Sequence, residues 1–333
     1  MERQRPGPYT GPMTPGSFPI LFITATRIGD AVLSSGLVRR LADEIPAASF
    51  TIVAGPAAAP LFLDVPRLDE IIVFEKAKDG RHWWRLWRQV RGTPWGLVVD
   101  LRGSAISQFL RRKRRAVLRR ASGPAVHKVV EAARVLKIEG EPPAPFLYTS
   151  AETEDAAIDL TAGTGPILAL APSANWLGKT WPLERFAQVA IQLLGEGGPL
   201  AGGRLMVLGA PDDAHVVQSL RHVTPKDRFI DLVGKVDLLT AYACLKRARL
   251  FVGNDSGLMH LAAAAGAPTL GLFGPSDETL YAPWGEKTRV VRGPRDFQQI
   301  HAVDPSFQQA LCHMMDLPVE TVVAAAKGLL AET

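Results

Sequence analysis

The feature that most constrains this chain is an alternation, run twice, of short apolar strand-like segments with longer amphipathic helix-like ones. The first series reads FPILFIT, an amphipathic stretch from Asp30 to Glu44, FTIVA, IIVF, a Trp-rich stretch, GLVVDL and the helix-like HKVVEAARVL. The second restarts after Gly165 with PILALA, a helix over 183–194, RLMVLG, a helix near 212–222, RFIDLV, a helix over 238–248, RLFVGN and PTLGLFG. Strands separated by helices cannot pair as hairpins, so each series predicts a parallel sheet with helices on both faces. A chain of 333 residues is also too long for one ordinary core and fits two domains of about 150 residues. The Pro-, Ala-, Thr- and acid-rich segment between the series places the boundary near 150–164. The expected domains are therefore 18–155 and 160–316, with a last helix over 318–330 that packs back on the first domain. Residues 1–17, rich in proline and glycine without an apolar period, read as a flexible leader.

Several classes are excluded by composition. Hydrophobic residues make up 47% and charged residues 21%, which fits neither a disordered chain nor a coiled coil. No apolar run approaches the roughly 18 residues of a spanning helix, and the leader lacks a signal peptide's apolar centre, so the expected location is the cytoplasm. Cys244 and Cys312 stand far apart without ligand-like neighbours and read as buried thiols, not as a disulfide or zinc site. The net charge of +5 is unevenly placed. Arg102, Arg111, Arg112, Lys113, Arg114, Arg115, Arg119 and Arg120 follow one another with no intervening acid, a strong local positive potential that suits an anionic partner. No nucleic-acid-binding module is legible beside it, so RNA and DNA are not expected partners.

The most informative segment is RLFVGNDSGLMHLAAAAGAPTLGLFGPSD, Arg249 to Asp277. It reads as a buried strand, a turn at Asn254 and Asp255, and a helix to Ala265 with Ser256 as a hydroxyl N-cap and Gly266 as its end. The first N–H groups of such a helix have no intrahelical partner and carry partial positive charge, which suits phosphate. Gly257 lets an anion approach the backbone, and His260, one turn on, faces the same opening and can donate to it. A plain capped strand-turn-helix would need only Ser256. The added carboxylate and imidazole at the carboxyl end of a parallel strand favour a ligand site.

Two further turns follow first strands. In APSANWLGKTWPLERF, Lys179 offers a cation to the same anion or is simply a solvated loop lysine, while Trp181 reads as a packed aromatic that fixes the loop. In FITATRIGDAVL, Gly29 permits a tight turn, and Asp30 is either a helix N-cap or a general base that takes a proton from a hydroxyl. This turn has no GxGxxG, which counts against a dinucleotide oxidoreductase. In RHWWRLWRQVR, Trp83, Leu86, Trp87 and Val90 share one helical face opposite Arg81, Arg85 and Arg88. Such a helix either rests on an anionic bilayer or, the preferred reading, packs its tryptophans on the sheet.

At these segments the sequence resembles glycosyltransferase family 9, the lipopolysaccharide heptosyltransferases and their relatives. The family's Asp-Thr/Ser-Gly-x-x-His-Leu-x-Ala-Ala signature and the strand ending Phe-Gly-Pro-Thr/Ser are matched by Asp255, Ser256, Gly257, His260, Leu261, Ala263 and Ala264, then Phe273, Gly274, Pro275 and Ser276. Its Ile-Gly-Asp turn is matched by Ile28, Gly29 and Asp30, its Lys-x-Trp-Pro loop by Lys179, Trp181 and Pro182, and its Cys-containing tail by CHMMDLPVETV.

The resemblance implies a GT-B fold of two Rossmann-like domains facing across a cleft, acceptor on the N-terminal one and nucleotide sugar on the C-terminal one. It implies inverting, metal-independent transfer without a cofactor, with Asp30 as base. Lys179, Ser256, Gly257 and His260 would neutralise the departing diphosphate, and Asp255 would contact donor-sugar hydroxyls. The implied partners are a nucleotide-sugar donor, ADP-heptose foremost, and an anionic lipid A core-type glycolipid. The basic run Arg102 and Arg111 to Arg115 is offered to that acceptor or to the inner membrane, with peripheral contact there. The alternatives are another nucleotide sugar used for O-antigen or capsule, and a nucleotide-sugar binding protein without turnover.

Overall fold

The computed structural model describes residues 16–75, 79–119, 124–307 and 311–333. Most of the expected leader, and Arg120 of the basic run, lie outside the described residues. The chain divides into two compact units, Met1–Tyr148 and Thr149–Thr333.

In the first unit, strands β1 (Phe18–Ile23), β2 (Ala48–Ala54), β3 (Leu68–Val73), β4 (Trp95–Asp100) and β5 (Arg112–Val117) form one parallel sheet in the order β3-β2-β1-β4-β5. The inner strands β2 and β4 are buried along their whole length, as the unbroken apolar runs of a sheet covered on both faces require. At the edge, β5 carries Arg112, Lys113, Arg114 and Arg115, charges that discourage pairing with a further strand. Much of the basic run thus has a structural role. The chain moves outward from β1 to β3 and then crosses to β4, so the order reverses between β1 and β4. The carboxyl ends at such a reversal are where ligands bind in open sheets of this type.

The helices of this unit are α1 (Ile28–Ser34), α2 (Gly36–Glu44), α3 (Arg81–Val90) and α4 (Lys128–Ala133). The stretch expected as one helix from Asp30 to Glu44 breaks at Ser35. Its hydroxyl donates to Val32 O (2.7 Å) and accepts from Phe146 N (3.0 Å), while a β-carbon on Gly36 would lie 2.3 Å from Ala144 O. The Ser-Gly pair lets the segment before Leu147 pass close to the helix pair. In α3, Leu86 and Val90 are buried and Trp83 and Trp87 pack against their core, which agrees with the preferred packing reading. Trp84 remains 58% exposed.

The second unit contains α5 (Ala151–Leu160), β6 (Ile167–Ala171), α6 (Leu183–Leu194), β7 (Arg204–Val207), α7 (Ala214–Leu220), β8 (Phe229–Asp231), α8 (Leu238–Leu245), β9 (Leu250–Asn254), α9 (Gly257–Ala264), β10 (Thr269–Phe273), α10 (Glu278–Tyr281), β11 (Thr288–Arg292), α11 (Phe297–Val303) and α12 (Val319–Glu332). Its sheet is parallel, in the order β11-β10-β9-β6-β7-β8, and reverses between β6 and β9.

Two expectations differ here. The supposed linker contains α5, whose cap Ser150 accepts from Thr153 N (3.2 Å) and whose first turn holds Glu152 and Glu154, which complement the helix dipole. The division accordingly falls at Tyr148, ahead of the 150–164 segment. The last helix, expected to pack back on the first domain, places Val319, Val322, Val323, Ala326 and Leu329 in the second unit's own core. Its apolar face is spent there.

Candidate functional site

Three adjacent strand ends build the site in the second unit. The loop after β6 carries Lys179, the turn after β9 carries Asp255 and Ser256, and the turn after β10 carries Ser276. Lys179 Nζ lies 3.2 Å from Asp255 Oδ2, and Ser276 Oγ donates to that same oxygen at 2.6 Å. His260 Nε2 lies 3.9 Å from Asp255 Oδ1. The Asp255 and His260 side chains are only 8% and 4% exposed, and Lys179 is 19% exposed. A cation, a carboxylate, a hydroxyl and an imidazole therefore meet at the reversal point of the sheet.

Ser256 is the N-cap residue of α9, with extended backbone (φ −153°, ψ 172°), yet its hydroxyl makes no cap bond. This corrects the expected hydroxyl cap. Ser256 Oγ is buried and is without a hydrogen-bond partner among the described residues. A buried hydroxyl left unpaired costs about 1–3 kcal/mol, so the group is poised to bond an anion held over the first turn. The rest of α9 buries Met259, His260, Leu261 and Ala262, and Gly266, at φ +78°, closes it in the left-handed region that glycine tolerates.

The Lys179 loop is pinned from two sides. Asn254, fully buried, accepts from Trp181 N (3.1 Å) and donates to Pro172 O (2.5 Å), which ties the strand end of β9 to the loop. Trp181 is itself fully buried against Phe186 and donates through Nε1 to Leu317 O (3.1 Å), the packing role expected for it. From the tail, His313 N donates to Gly178 O (3.0 Å) and Cys312 Sγ to Thr180 O (3.2 Å). Gly178 is needed because a β-carbon there would lie 2.4 Å from the Trp176 ring. The turn carrying Ser276 is clamped by Arg292, which donates to Gly274 O (3.1 Å) and Ser276 O (2.9 Å) and pairs with Glu278.

In the first unit, Asp30 stands in the first turn of α1, half-buried, after the end of β1. The N-cap of α1 is Arg27, so the N-cap reading of Asp30 is set aside: the helix starts before it. At the end of neighbouring β4, buried Asp100 accepts from Arg102 N and Ser104 N (both 2.9 Å) and from Ser104 Oγ (2.5 Å). Burial raises its carboxyl above the usual range despite these bonds. Burial also lowers the Arg102 guanidinium, which lies over the rings of Phe74 (4.8 Å) and Trp83 (5.6 Å). Of the other basic residues, Arg115 turns with Arg102 toward one cavity, while Lys113 and Arg114 are exposed along β5.

Residues 96–306, from β4 through most of the second unit, match the model of glycosyltransferase family 9 (heptosyltransferase). The chain belongs to this family. Lipopolysaccharide heptosyltransferase 2 of Salmonella typhimurium is 24% identical over 94% of this chain and 99% of its own length. Among solved structures, a family 9 glycosyltransferase from Veillonella parvula superposes with a TM-score of 0.75 at 20% identity, over 95% of this chain and 98% of that one. The E. coli ADP-heptose lipopolysaccharide heptosyltransferase II superposes at 0.70 and 21% identity, over 94% and 98%. This family 9 chain is thus a glycosyltransferase built of two Rossmann-like units, the composition of the GT-B class.

The family signature was legible in the sequence, and the structure brings Lys179, Asp255, Ser256 and His260 together. Asn254, expected in the turn, is the last residue of β9 and ties the strand to the loop, and neither Arg292 nor Asp100 is marked by a sequence motif. The signals available were a polar residue ending an apolar strand, as in RLFVGN and GLVVD, and the second arginine of TRVVR, which closes that strand.

Proposed function

We propose that this family 9 enzyme transfers a heptose from ADP-heptose to a lipopolysaccharide core acceptor, working in the cytoplasm at the inner membrane's face. The observation that carries the donor half is the convergence of Lys179, Asp255, Ser276 and His260 beside the unpaired Ser256 hydroxyl at the start of α9. The full-length likeness to heptosyltransferase 2 supports heptose as the sugar and the lipopolysaccharide core as its destination.

The reaction is a single displacement. An acceptor hydroxyl attacks the anomeric carbon, the bond from that carbon to the diphosphate oxygen breaks, and Asp30 takes the hydroxyl's proton. Negative charge grows on the leaving ADP. Lys179, the Ser256 hydroxyl, the Gly257 N–H and the His260 imidazole stabilise it, the loop that carries Lys179 being fixed before the reaction by the contacts around Trp181 and Asn254. The diphosphate competes with Asp255 for Lys179, and the carboxylate so released is available to donor-sugar hydroxyls.

The test is Asp30→Ala assayed with ADP-heptose and a core acceptor lacking its heptose. Loss of a general base lowers kcat by about 10² to 10⁴. Full activity in the variant would refute Asp30 as base. Melting shifts with ADP, UDP and GDP test the donor, since the nucleotide that fits raises the transition most.

A further inference from the structure

Two consecutive residues of the tail bind the carbonyls on either side of Lys179. His313 N donates to Gly178 O (3.0 Å) and Cys312 Sγ to Thr180 O (3.2 Å). Where the Lys179 backbone stands therefore depends on how Cys312 and His313 are themselves held. Arg295 holds them from one side, donating through Nη2 to His313 O (3.0 Å) while it pairs with Asp316 at 2.5 Å. On the other side the His313 ring is buried, and its Nε2 lies 3.2 Å from Asp304 Oδ2.

The His313 and Asp304 side chains are only 3% and 1% exposed, and no step of the proposed reaction uses them. Asp304 is fixed at the end of α11, where its N–H donates to Ile300 O (3.0 Å) and its carbonyl accepts from Phe307 N (3.1 Å). Among the described residues His313 is the hydrogen-bond partner of its carboxylate. Burying a carboxylate is costly, so apolar side chains of the same volume would hold the tail at least as firmly. What the pair adds is direction, one ring nitrogen aimed at one oxygen. The backbone beside it is strained: Phe307 stands at φ +49°, a left-handed conformation that a bulky residue keeps only where its surroundings impose it. Its ring lies edge-on to Trp176 (5.5 Å) and to His313 (6.2 Å), and the His313 and Trp176 rings are 6.0 Å apart. Trp176 O in turn accepts from Lys179 N (3.2 Å). The N–H of Lys179 and the carbonyls flanking it thus all lead back to the buried pair.

We propose that His313, oriented by Asp304, is a positioning residue for Lys179: it touches no substrate but fixes the backbone from which the ammonium reaches the diphosphate. The inference rests on the proposed function only in taking Lys179 as the cation for that diphosphate. With the backbone held, only the side chain moves when Lys179 leaves the Asp255 carboxylate for the ligand. Without the pair, the ligand must order the loop as it binds, and that cost weakens the complex.

The test compares His313→Ala and His313→Gln in the full chain, each alone and combined with Lys179→Ala, by titration calorimetry with ADP. A glutamine amide can donate to Asp304 where the ring nitrogen does. His313→Ala is expected to weaken ADP binding about tenfold when Lys179 is present and under about twofold when it is not, with His313→Gln within about threefold of the unaltered chain. Acetylation without ligand, read by mass spectrometry, is expected to modify Lys179 on the order of fivefold faster in His313→Ala. Lys246, paired with Glu154 elsewhere in the same unit, is the internal reference and stays unchanged. The double variant Asp304→Leu/His313→Phe keeps the packing and removes the directed contact; it is expected to behave like His313→Ala, and replaces it should that variant not fold. Equal weakening with and without Lys179, native ADP affinity in the double variant, or unchanged labelling of Lys179 would each overturn the proposal. If Lys179→Ala alone leaves ADP binding unchanged while labelling still rises in His313→Ala, the donor role of Lys179 is refuted and the link from tail to loop is supported.

Discussion

Replacement of Asn254 by alanine isolates the bond that holds the donor loop to the sheet. Asn254 is fully buried at the end of β9, and its amide satisfies two backbone groups, Trp181 N at 3.1 Å and Pro172 O at 2.5 Å. Truncation leaves both groups buried without that partner, at about 1–3 kcal/mol each, so the loss is about 2–6 kcal/mol. At roughly 2–4 °C per kcal/mol for a unit of this size, a mid-range loss of about 4 kcal/mol lowers the melting temperature by about 8–16 °C. Thermal unfolding followed by far-ultraviolet circular dichroism measures it. Because the same bond fixes the approach to Lys179, ADP affinity falls as well, read by titration calorimetry on the folded variant. A shift corresponding to under about 0.5 kcal/mol, the usual scatter for surface substitutions, would refute the claim that Asn254 anchors the loop. Trp181→Phe is the companion: it removes the Nε1 bond to Leu317 O and tests the tail side of the same clamp.

Lys179→Ala removes the cation assigned to the diphosphate, and kcat/KM is expected to fall by about 10², with ADP bound more weakly; unchanged steady-state kinetics would count against the assignment. Cys244 is fully buried, and burial pushes its thiol up to about 12, so at pH 8 a thiol-specific chromogenic reagent should modify at most Cys312 in the native protein and both cysteines in urea. Rapid reaction of two thiols in the native protein would show that the core around α8 opens readily.

The parts of the fold that were legible in the sequence are those set by local pattern. Buried parallel strands are unbroken apolar runs, and the helix expected over 183–194 is α6. The Asp255 to His260 segment was readable because strand, turn and helix are contiguous, so its chemistry does not depend on distant residues. What escaped depends on distant partners. The break at Ser35 exists because the chain more than a hundred residues on passes over Gly36. Ser276 and the Cys-containing tail stand among the matched family segments, but that Ser276 bonds Asp255 from the next strand and that Cys312 and His313 hold the Lys179 loop are contacts that only the fold brings about. No spacing rule carries such contacts. Residue type at a helix start predicts capping well and so points to the Ser256 hydroxyl as a cap, whereas here that hydroxyl makes no bond to the helix. The basic run is contiguous in sequence and suggests one surface. It separates into charges spread along an edge strand and side chains that turn toward a cavity.

We propose that this chain moves a heptose from ADP-heptose to a lipopolysaccharide core. The most direct measurement is mass spectrometry of a heptose-deficient core acceptor after incubation with the purified chain and ADP-heptose, with released ADP quantified in the same reaction. The expected result is an acceptor heavier by one heptose residue and ADP formed in equal amount. Turnover of a different nucleotide sugar with none of ADP-heptose, or ADP-heptose bound and recovered intact with the acceptor unchanged, would contradict it.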